Sequence, residues 1–159
     1  MNRLRLVAAT KTNTTGSDIE PLLPEQVVDA AIVLHDLKHP DANIIPQFRT
    51  LEGCHQYIVA VMCNACGKYL PYASFAAMEP ELLGFVLTSE TAPDEGHIVQ
   101  IVVAPEVRQA GIGKRLVQAA INALYESGYK KVSLNVTESN TPAIRLYESL
   151  GFRPYEKIT

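Results

Sequence analysis

A turn that carries two glycines and a cation is the first stretch of this sequence that could do chemistry. Apolar, mostly β-branched residues from Ile98 onward predict a buried strand, which Pro105 ends because proline has no N–H to give to a ladder. Gly111 and Gly113 then open a long amphipathic helix, and Arg108 stands just before them. The first N–H groups of a helix have no partner within it and carry partial positive charge. A glycine turn at that point therefore predicts a site for a phosphate or diphosphate group.

Two familiar nucleotide-binding patterns do not fit this turn. The dinucleotide fingerprint needs a third glycine where this sequence has Leu116. The nucleotide P-loop needs a glycine where Arg108 stands and a serine or threonine where Arg115 stands. Arg108, Lys114 and Arg115 instead add positive charge beside the two glycines, which still favours an anion.

A second motif lies downstream, between residues 131 and 152. Val132, Leu134 and Val136 alternate with polar residues, which predicts a strand. Asn140 is then suited to cap a helix that Gly151 closes. Apolar residues recur along that helix at helical spacing: Ala143, Leu146, Tyr147 and Leu150.

Taken together, the two motifs resemble the GNAT family of N-acetyltransferases over roughly residues 84–152. The first is Arg108-x-x-Gly111-x-Gly113, and the second runs Asn140-x-x-Ala143-x-x-Leu146-Tyr147-x-x-x-Gly151-Phe152. The resemblance implies one α/β (α+β) domain over residues 1–159, with a mixed, mostly antiparallel central sheet and helices on both faces. Within it, residues 82–152 would form the acetyl-CoA-binding core, while the strand and two helices of residues 1–67 shape the acceptor site. Coenzyme A would enter a gap where the central strand and the strand after the next helix splay apart.

The resemblance also implies an activity and the residues that serve it. The expected reaction is direct transfer of an acetyl group from acetyl-CoA, as co-substrate and without a metal, to a primary amine. Tyr147 would be the acid that protonates the departing thiolate, since a phenol near pKa 10 stays protonated at neutral pH. An N–H near Val103 would stabilise the oxyanion. The residues expected to bind the cofactor are Ile101, Val102, Val103, Arg108, Gln109, Ala110, Gly111, Ile112, Gly113, Lys114, Asn140 and Tyr147.

A general base is also required, because an alkylamine near pKa 10.4 is almost wholly protonated at pH 7. Glu95 is the predicted base; it lies with His97 at the start of the central strand, where many members of the resembled family place a glutamate. The loop carboxylates of Asp94, Glu79 and Glu81 are the alternatives, and some family members use water alone.

Two other functions fit the same motifs. The domain could bind acyl-CoA as a sensor or scaffold without catalysis, which a Tyr147 turned into the core would favour. It could also transfer a larger acyl group, which the space near Val102 and Val103 would decide. The resemblance implies that residues 10–67 select the acceptor, and because they carry no recognisable motif the sequence does not predict which amine it is.

The composition also limits the classes of protein to which this sequence could belong. The 159 residues are 47% hydrophobic and 19% charged, which is typical of a single globular domain. A net charge of −3 argues against a general nucleic-acid binder. No apolar run reaches the ~18 residues of a membrane helix, and the N-terminus does not resemble a signal peptide, so we expect a cytoplasmic protein. Cys63 and Cys66 have metal-ligand spacing, but their nearest companions are the sequence neighbours Cys54 and His55, which point apart on a helix.

The elements around the motifs follow from periodicity and turn residues. They are a strand over 2–9, a loop over 10–24, helices over 24–37 and 51–64, strands over 75–78 and 82–87, a charged loop over 89–96, and a short strand over 153–158. Members of the resembled family usually add one more strand at this end. Either the sheet is one strand short or a partner subunit covers its edge, and an exposed edge favours a homodimer.

Overall fold

The computed structural model describes residues 3–11, 18–37, 45–108 and 110–158. The strands of this part of the chain are β1 (Arg3–Ala9), β2 (Ile19–Pro21), β3 (Lys68–Tyr69), β4 (Phe75–Met78), β5 (Leu82–Ala92), β6 (Glu95–Val103), β7 (Lys131–Thr137) and β8 (Arg153–Ile158). Its α-helices are α1 (Val27–Asp36), α2 (Leu51–Met62), α3 (Ile112–Glu126) and α4 (Thr141–Ser149). The predicted helices and strands occur in the predicted order, and β2 and β3 occur in addition to them. Among the described residues, none of the helices could cross a bilayer.

The strands form one mixed sheet in the order β2-β4-β5-β6-β7-β1-β8, with β3 also paired to β5. Every pairing is antiparallel except that of β6 with β7, which are parallel. The fold class predicted from the sequence is therefore confirmed. It rests on the antiparallel hairpins before β6 and on α3, which connects the two parallel strands across one face.

A bulge in β6 opens the sheet at its centre. The register with β5 pairs Leu87 with Gln100 but Thr88 with Ile98, so Val99 is the extra residue. A bulge bends its strand and increases the local twist. The parallel ladder with β7 ends at the pair Ile98–Leu134. Beyond that pair β6 and β7 separate, and we call the opening between them the gap.

Two apolar cores hold helices against opposite faces of the sheet. On one face α3 and α4 pack on the inward side chains of β1, β6 and β7, with Leu116, Leu124 and Phe152 fully buried. On the other face α1 and α2 pack on β4, β5 and the second half of β6 around Leu34 and Phe85. At the point where the gap begins, one face of the sheet is therefore covered by α3 and α4 and the other by α1 and α2.

Two sequence predictions about this region are wrong. The predicted charged loop over 89–96 is the tip of a hairpin: β5 continues to Ala92, and β6 already begins at Glu95. The polar residues fit strands here because they bond across the hairpin, as Thr91 does to Glu95 at 3.3 Å. The predicted loop over 10–24 contains β2, which pairs with β4, while residues 12–17 lie outside the described part.

The predicted short strand at the end of the chain is confirmed. It is β8, which pairs antiparallel with β1 and is the outer strand on that side of the described sheet. The homodimer through this edge stays a prediction.

Candidate active site

The turn before α3, residues 110–113, has the conformation that its glycines predict, and we call it the glycine turn. Gly111 caps the helix in the left-handed region at φ = 78°, which residues with a side chain rarely adopt. The first backbone bond of the helix runs from the N–H of Arg115 to the carbonyl of Gly111, at 3.1 Å. The N–H groups of residues 112–114 therefore precede the helical ladder, and with the helix dipole they suit an anion.

Arg115 does not act as a free cation beside this turn, contrary to the sequence expectation. Its guanidinium donates to the carbonyl of Ala110 at 2.9 Å and pairs with the carboxylate of Asp18 at 2.8 Å. The hydrogen bond from Arg115 also holds the pKa of Asp18 below its ordinary value. Arg115 thus fixes the turn to the segment before β2, while Arg108 is exposed at the mouth of the site.

A cleft of about 380 Å³ lies between the second half of β6, the glycine turn and the start of α4. It brings together the following predicted cofactor residues: Ile101, Val102, Val103, Arg108, Ile112, Gly113, Asn140 and Tyr147. Ala110, Gly111 and Lys114 lie beside it, in the turn and the first turn of α3, and do not line it. Gln109 lies outside the described residues.

The sequence prediction missed part of the lining. The additional lining residues are Leu37, Val107, Pro142, Ala143 and Leu146. Ala143 and Leu146 belong to the apolar stripe of α4, and helical spacing alone does not show whether such a stripe faces a cleft or the core. Leu37, just after α1, carries no sequence signal of its position.

The backbone of β6 offers hydrogen-bonding groups to this cleft. The N–H of Ala104 donates to the carbonyl of Leu83 on β5, at 2.7 Å. In an antiparallel ladder the direction of the backbone groups alternates with each residue. Ile101 and Val103 therefore direct their N–H and C=O groups away from β5, toward the gap, where an extended chain with amide groups could pair with them.

Tyr147 lies in the cleft wall and in the core at once. It is 7% exposed, and its ring packs edge-on against Phe152 with the centroids 5.9 Å apart. Burial raises the pKa of Tyr147 to about 12, so the phenol keeps its proton at any physiological pH. A buried, protonated phenol facing a cleft can donate a proton to an anion that forms there.

Asn140 positions the helix that carries Tyr147. It is the N-cap of α4, and its side chain accepts a bond from the N–H of Ala143 at 3.4 Å. The cap uses only the carbonyl oxygen of the side chain, so the amide nitrogen remains a donor for a molecule in the cleft.

The structure does not bring Glu95 to this cleft. Glu95 lies at the other end of β6 and is 6% exposed. Its carboxylate pairs with Arg5 and accepts bonds from Ser133 at 2.8 Å and Thr91 at 3.3 Å. Burial alone would raise the pKa of Glu95, but the bonds from Ser133 and Arg5 outweigh it and leave the pKa below its ordinary value. A carboxylate so occupied is poorly suited to take a proton from a substrate.

The alternative carboxylates are also away from the cleft. Glu79 and Glu81 are exposed on the turn between β4 and β5. Asp94, in the turn before β6, lies 3.7 Å from the ammonium of Lys131. His97, which the sequence places with Glu95 at the start of this strand, is partly buried and bonds to the hydroxyl of Ser133 at 2.9 Å.

Comparison with known proteins agrees with this geometry. Residues 44–152 match the model of the "Acetyltransferase (GNAT) family". A mycothiol acetyltransferase of Gordonia bronchialis is 35% identical over 150 residues, which cover 85% of this chain and 48% of that protein. The chain spans less than half the length of the curated relatives it matches here.

Solved structures show the same fold. The ribosomal-protein-S18-alanine N-acetyltransferase of Escherichia coli superposes with a TM-score of 0.68 at 24% identity, covering 87% of this chain and 78% of that one. The PaiA N-acetyltransferase of Thermoplasma acidophilum, solved in complex with coenzyme A, gives a TM-score of 0.62 at 20% identity, with 85% and 88% covered.

Proposed function

The chain belongs to the GNAT family of acetyltransferases, and we propose from this that it transfers an acetyl group from acetyl-CoA directly to a primary amine. One observation carries the proposal. A single cleft joins the glycine turn, the outward-facing backbone of β6 and the protonated phenol of Tyr147.

The glycine turn would hold the diphosphate of the cofactor. The N–H groups at the start of α3 would point at that group, and Gly113, which lines the cleft, would allow it to approach the backbone closely. Arg108, which lines the cleft, would supply formal positive charge, whereas the guanidinium of Arg115 is paired with Asp18. Asn140 would donate its amide N–H from the opposite wall.

The second half of β6 would align the reacting thioester. The two amide groups of the pantetheine arm can pair with the gap-facing backbone of Ile101 and Val103, much as another strand would. A gap-facing N–H of the same segment would then donate to the oxyanion of the tetrahedral intermediate, and one such donor is typically worth about 3 kcal/mol.

Tyr147 would complete the reaction on the leaving-group side. As the C–S bond breaks, the thiolate takes the phenolic proton, and the phenol recovers a proton that the amine nitrogen loses. Direct attack fits these residues, since none of the described residues that line the cleft is a cysteine able to act as a covalent relay.

The names of the relatives do not define the acceptor of this protein. One is named for mycothiol and another for an alanine of a ribosomal protein, and these differ too much to define a class. The first half of the chain, which contributes Leu37 to the described lining of the cleft, would determine the choice.

The test is calorimetric titration of the protein with acetyl-CoA and coenzyme A, followed by thiol release with a panel of amines. The panel contains a peptide with N-terminal alanine, free lysine, an amino sugar and spermidine. Micromolar binding with thiol release on any of these amines supports the proposal. Binding without release on the whole panel favours an acyl-CoA sensor, and absence of binding refutes the assignment of the cleft.

A further inference from the structure

A chain of hydrogen bonds crosses three strands on the face of the sheet opposite to α3 and α4. Arg5 of β1 pairs with Glu95 of β6, Ser133 of β7 donates to the same carboxylate oxygen at 2.8 Å, and His97 bonds to Ser133 through Nδ1 at 2.9 Å. We call these four residues the polar network. The proposed steps at the cleft leave it without a role.

The network determines which nitrogen of His97 carries the proton. A serine hydroxyl has one hydrogen, and that of Ser133 is directed to the Glu95 carboxylate. Toward His97 the same hydroxyl can only accept, so Nδ1 must be the protonated nitrogen. The lone pair of a neutral His97 therefore lies on Nε2, which takes no part in the network.

The position of His97 relates this lone pair to the gap. His97 pairs with Ser133, one residue before the ladder between β6 and β7 ends at Ile98. The side chain of Ile98 belongs to the core under α3, so that of His97 projects from the opposite face. A thioester drawn along β6 toward the start of the gap would have Tyr147 on one side of the sheet and His97 on the other, the side that carries α1 and α2.

We propose that Nε2 of His97 is the atom that takes the proton from the acceptor amine, and that Ser133 and Glu95 are positioning residues that hold it in the required tautomer. The inference rests on the proposed acetyl transfer and adds to it a base, which the described residues lining the cleft do not include.

The charges around His97 keep it neutral. The ionisable groups that face it are Glu95 on its own strand and Arg3 and Arg5 from β1, while its register partners on β5 and β7 are serines. Burial, followed by the charge of Arg5, lowers the pKa of His97 to about 4, and Glu95 only partly opposes this. The imidazole thus has a free lone pair at neutral pH, although it is a weaker base than a solvated histidine.

The proton balance closes without another reactant. The ammonium gives one proton to Nε2, and the amine lone pair forms the C–N bond to the thioester carbon. When the intermediate collapses, the C–S bond breaks, the thiolate takes the proton of Tyr147, and the phenol regains one from the nitrogen. The imidazolium then releases its proton to solvent, so one proton leaves for each amide formed.

A second polar atom on this face suits the same substrate. Asn135 follows Ser133 by two residues on β7, just past the last pair with β6, and so shares its face. Among the described residues its Oδ1 is buried and has no hydrogen-bond partner. An acceptor N–H could satisfy it, while another N–H points to His97, which requires at least two hydrogens on the attacking nitrogen.

The experiment compares wild type with His97→Gln and His97→Ala, using the amine from the panel that wild type acetylates fastest. We expect kcat to fall about 100-fold or more, with the affinity for acetyl-CoA unchanged by calorimetry. Added imidazole should restore part of the turnover of His97→Ala, which it would not do for a merely structural histidine. His55→Gln, on α2, is the matched control and should behave as wild type.

Nitrogen-15 NMR of the imidazoles gives a readout that needs no substrate. We expect the Nδ1–H tautomer for His97 in wild type and a mixture of tautomers in Ser133→Ala, which should also turn over more slowly. An Nε2–H tautomer in wild type, or full turnover by His97→Gln, would overturn the inference while leaving the acetyl transfer intact. Absence of acetyl-CoA binding by wild type would instead refute the proposed function, and the inference with it.

Discussion

Replacing Gly113 by alanine should separate binding of the cofactor from stability of the fold. A Cβ at position 113 would lie 3.6 Å from a methyl carbon of Val103, which is an ordinary van der Waals contact. The backbone there is helical, and alanine is favoured over glycine inside a helix by up to about 1 kcal/mol. Both residues line the cleft, however, so the added methyl group occupies the space through which the diphosphate would approach the helix N-terminus.

The expected magnitudes follow from these two effects. A gain of up to about 1 kcal/mol corresponds to a rise in Tm of roughly 2–4 °C for a domain of this size. Loss of one hydrogen bond between a backbone N–H and a charged phosphate costs about 1.5–3 kcal/mol. That loss would weaken acetyl-CoA binding by about 10- to 100-fold.

Gly111→Ala is the matched comparison for Gly113→Ala, because we expect it to destabilise the fold as well as to weaken acetyl-CoA binding. At φ = 78° an L-residue is strained by roughly 1–2 kcal/mol, and the new Cβ would lie 3.2 Å from the Arg115 guanidinium that fixes the turn. We expect Tm to fall by a few degrees. Calorimetric titration with acetyl-CoA and thermal scans of both variants provide the measurement. If Gly113→Ala binds acetyl-CoA as tightly as wild type, the diphosphate does not lie against this turn.

Three further predictions follow from the site. Tyr147→Phe should bind acetyl-CoA normally but turn over roughly 100-fold more slowly, with exposed Tyr125→Phe as the control; equal turnover would mean that another group protonates the thiolate. His97, whose pKa is lowered to about 4 from 6.5, contributes stability that is fully present above pH 6.5 and is lost as the pH falls toward 4, by about 1.4 kcal/mol per pH unit. Urea unfolding across this range should show the slope in wild type, and the idea fails if His97→Gln shows the same slope. Asn140→Ala should lower the unfolding free energy by about 1 kcal/mol through loss of the α4 cap and also weaken acetyl-CoA binding, whereas Asn140→Asp should keep the cap alone.

The sequence could predict the half of the site that depends on local backbone geometry. A left-handed Gly111, a helix that begins after it and an asparagine cap at Asn140 are each determined by the residue at that position and its immediate neighbours. Motifs of this kind can be identified from spacing alone. The cleft residues of β6 followed as well, because a strand that leads into such a turn must end beside it.

The other half of the site depends on register, which the sequence did not reveal. The bulge at Val99 decides where β6 leaves β7, yet no residue type at that point marks a bulge. The sequence predicts a loop between Ser89 and Gly96 because Arg5 and Ser133, the partners of Glu95, come from strands that are remote in the chain. The same remoteness made Glu95 look like a free carboxylate when it is already paired.

The bulge also explains how the glycine-turn side of the site and the polar network could both act on the same thioester bond. Where β6 stays paired with β7, the polar side chains of Arg5, Glu95, Ser133 and His97 bond to one another across the strands, and Nε2 of His97 lies outside these bonds. Where β6 has separated, its backbone at Ile101 and Val103 has no strand partner on that side within the described part of the chain and becomes available to an extended ligand. Val99 lies between the part of β6 that pairs with β7 and the part that borders the gap. A molecule held along the gap would therefore end next to the paired part, which carries His97. Shifting the bulge by one residue would turn the side chain of His97 relative to the gap while leaving the glycine turn as it is, and the cofactor would then bind beside a site with no base.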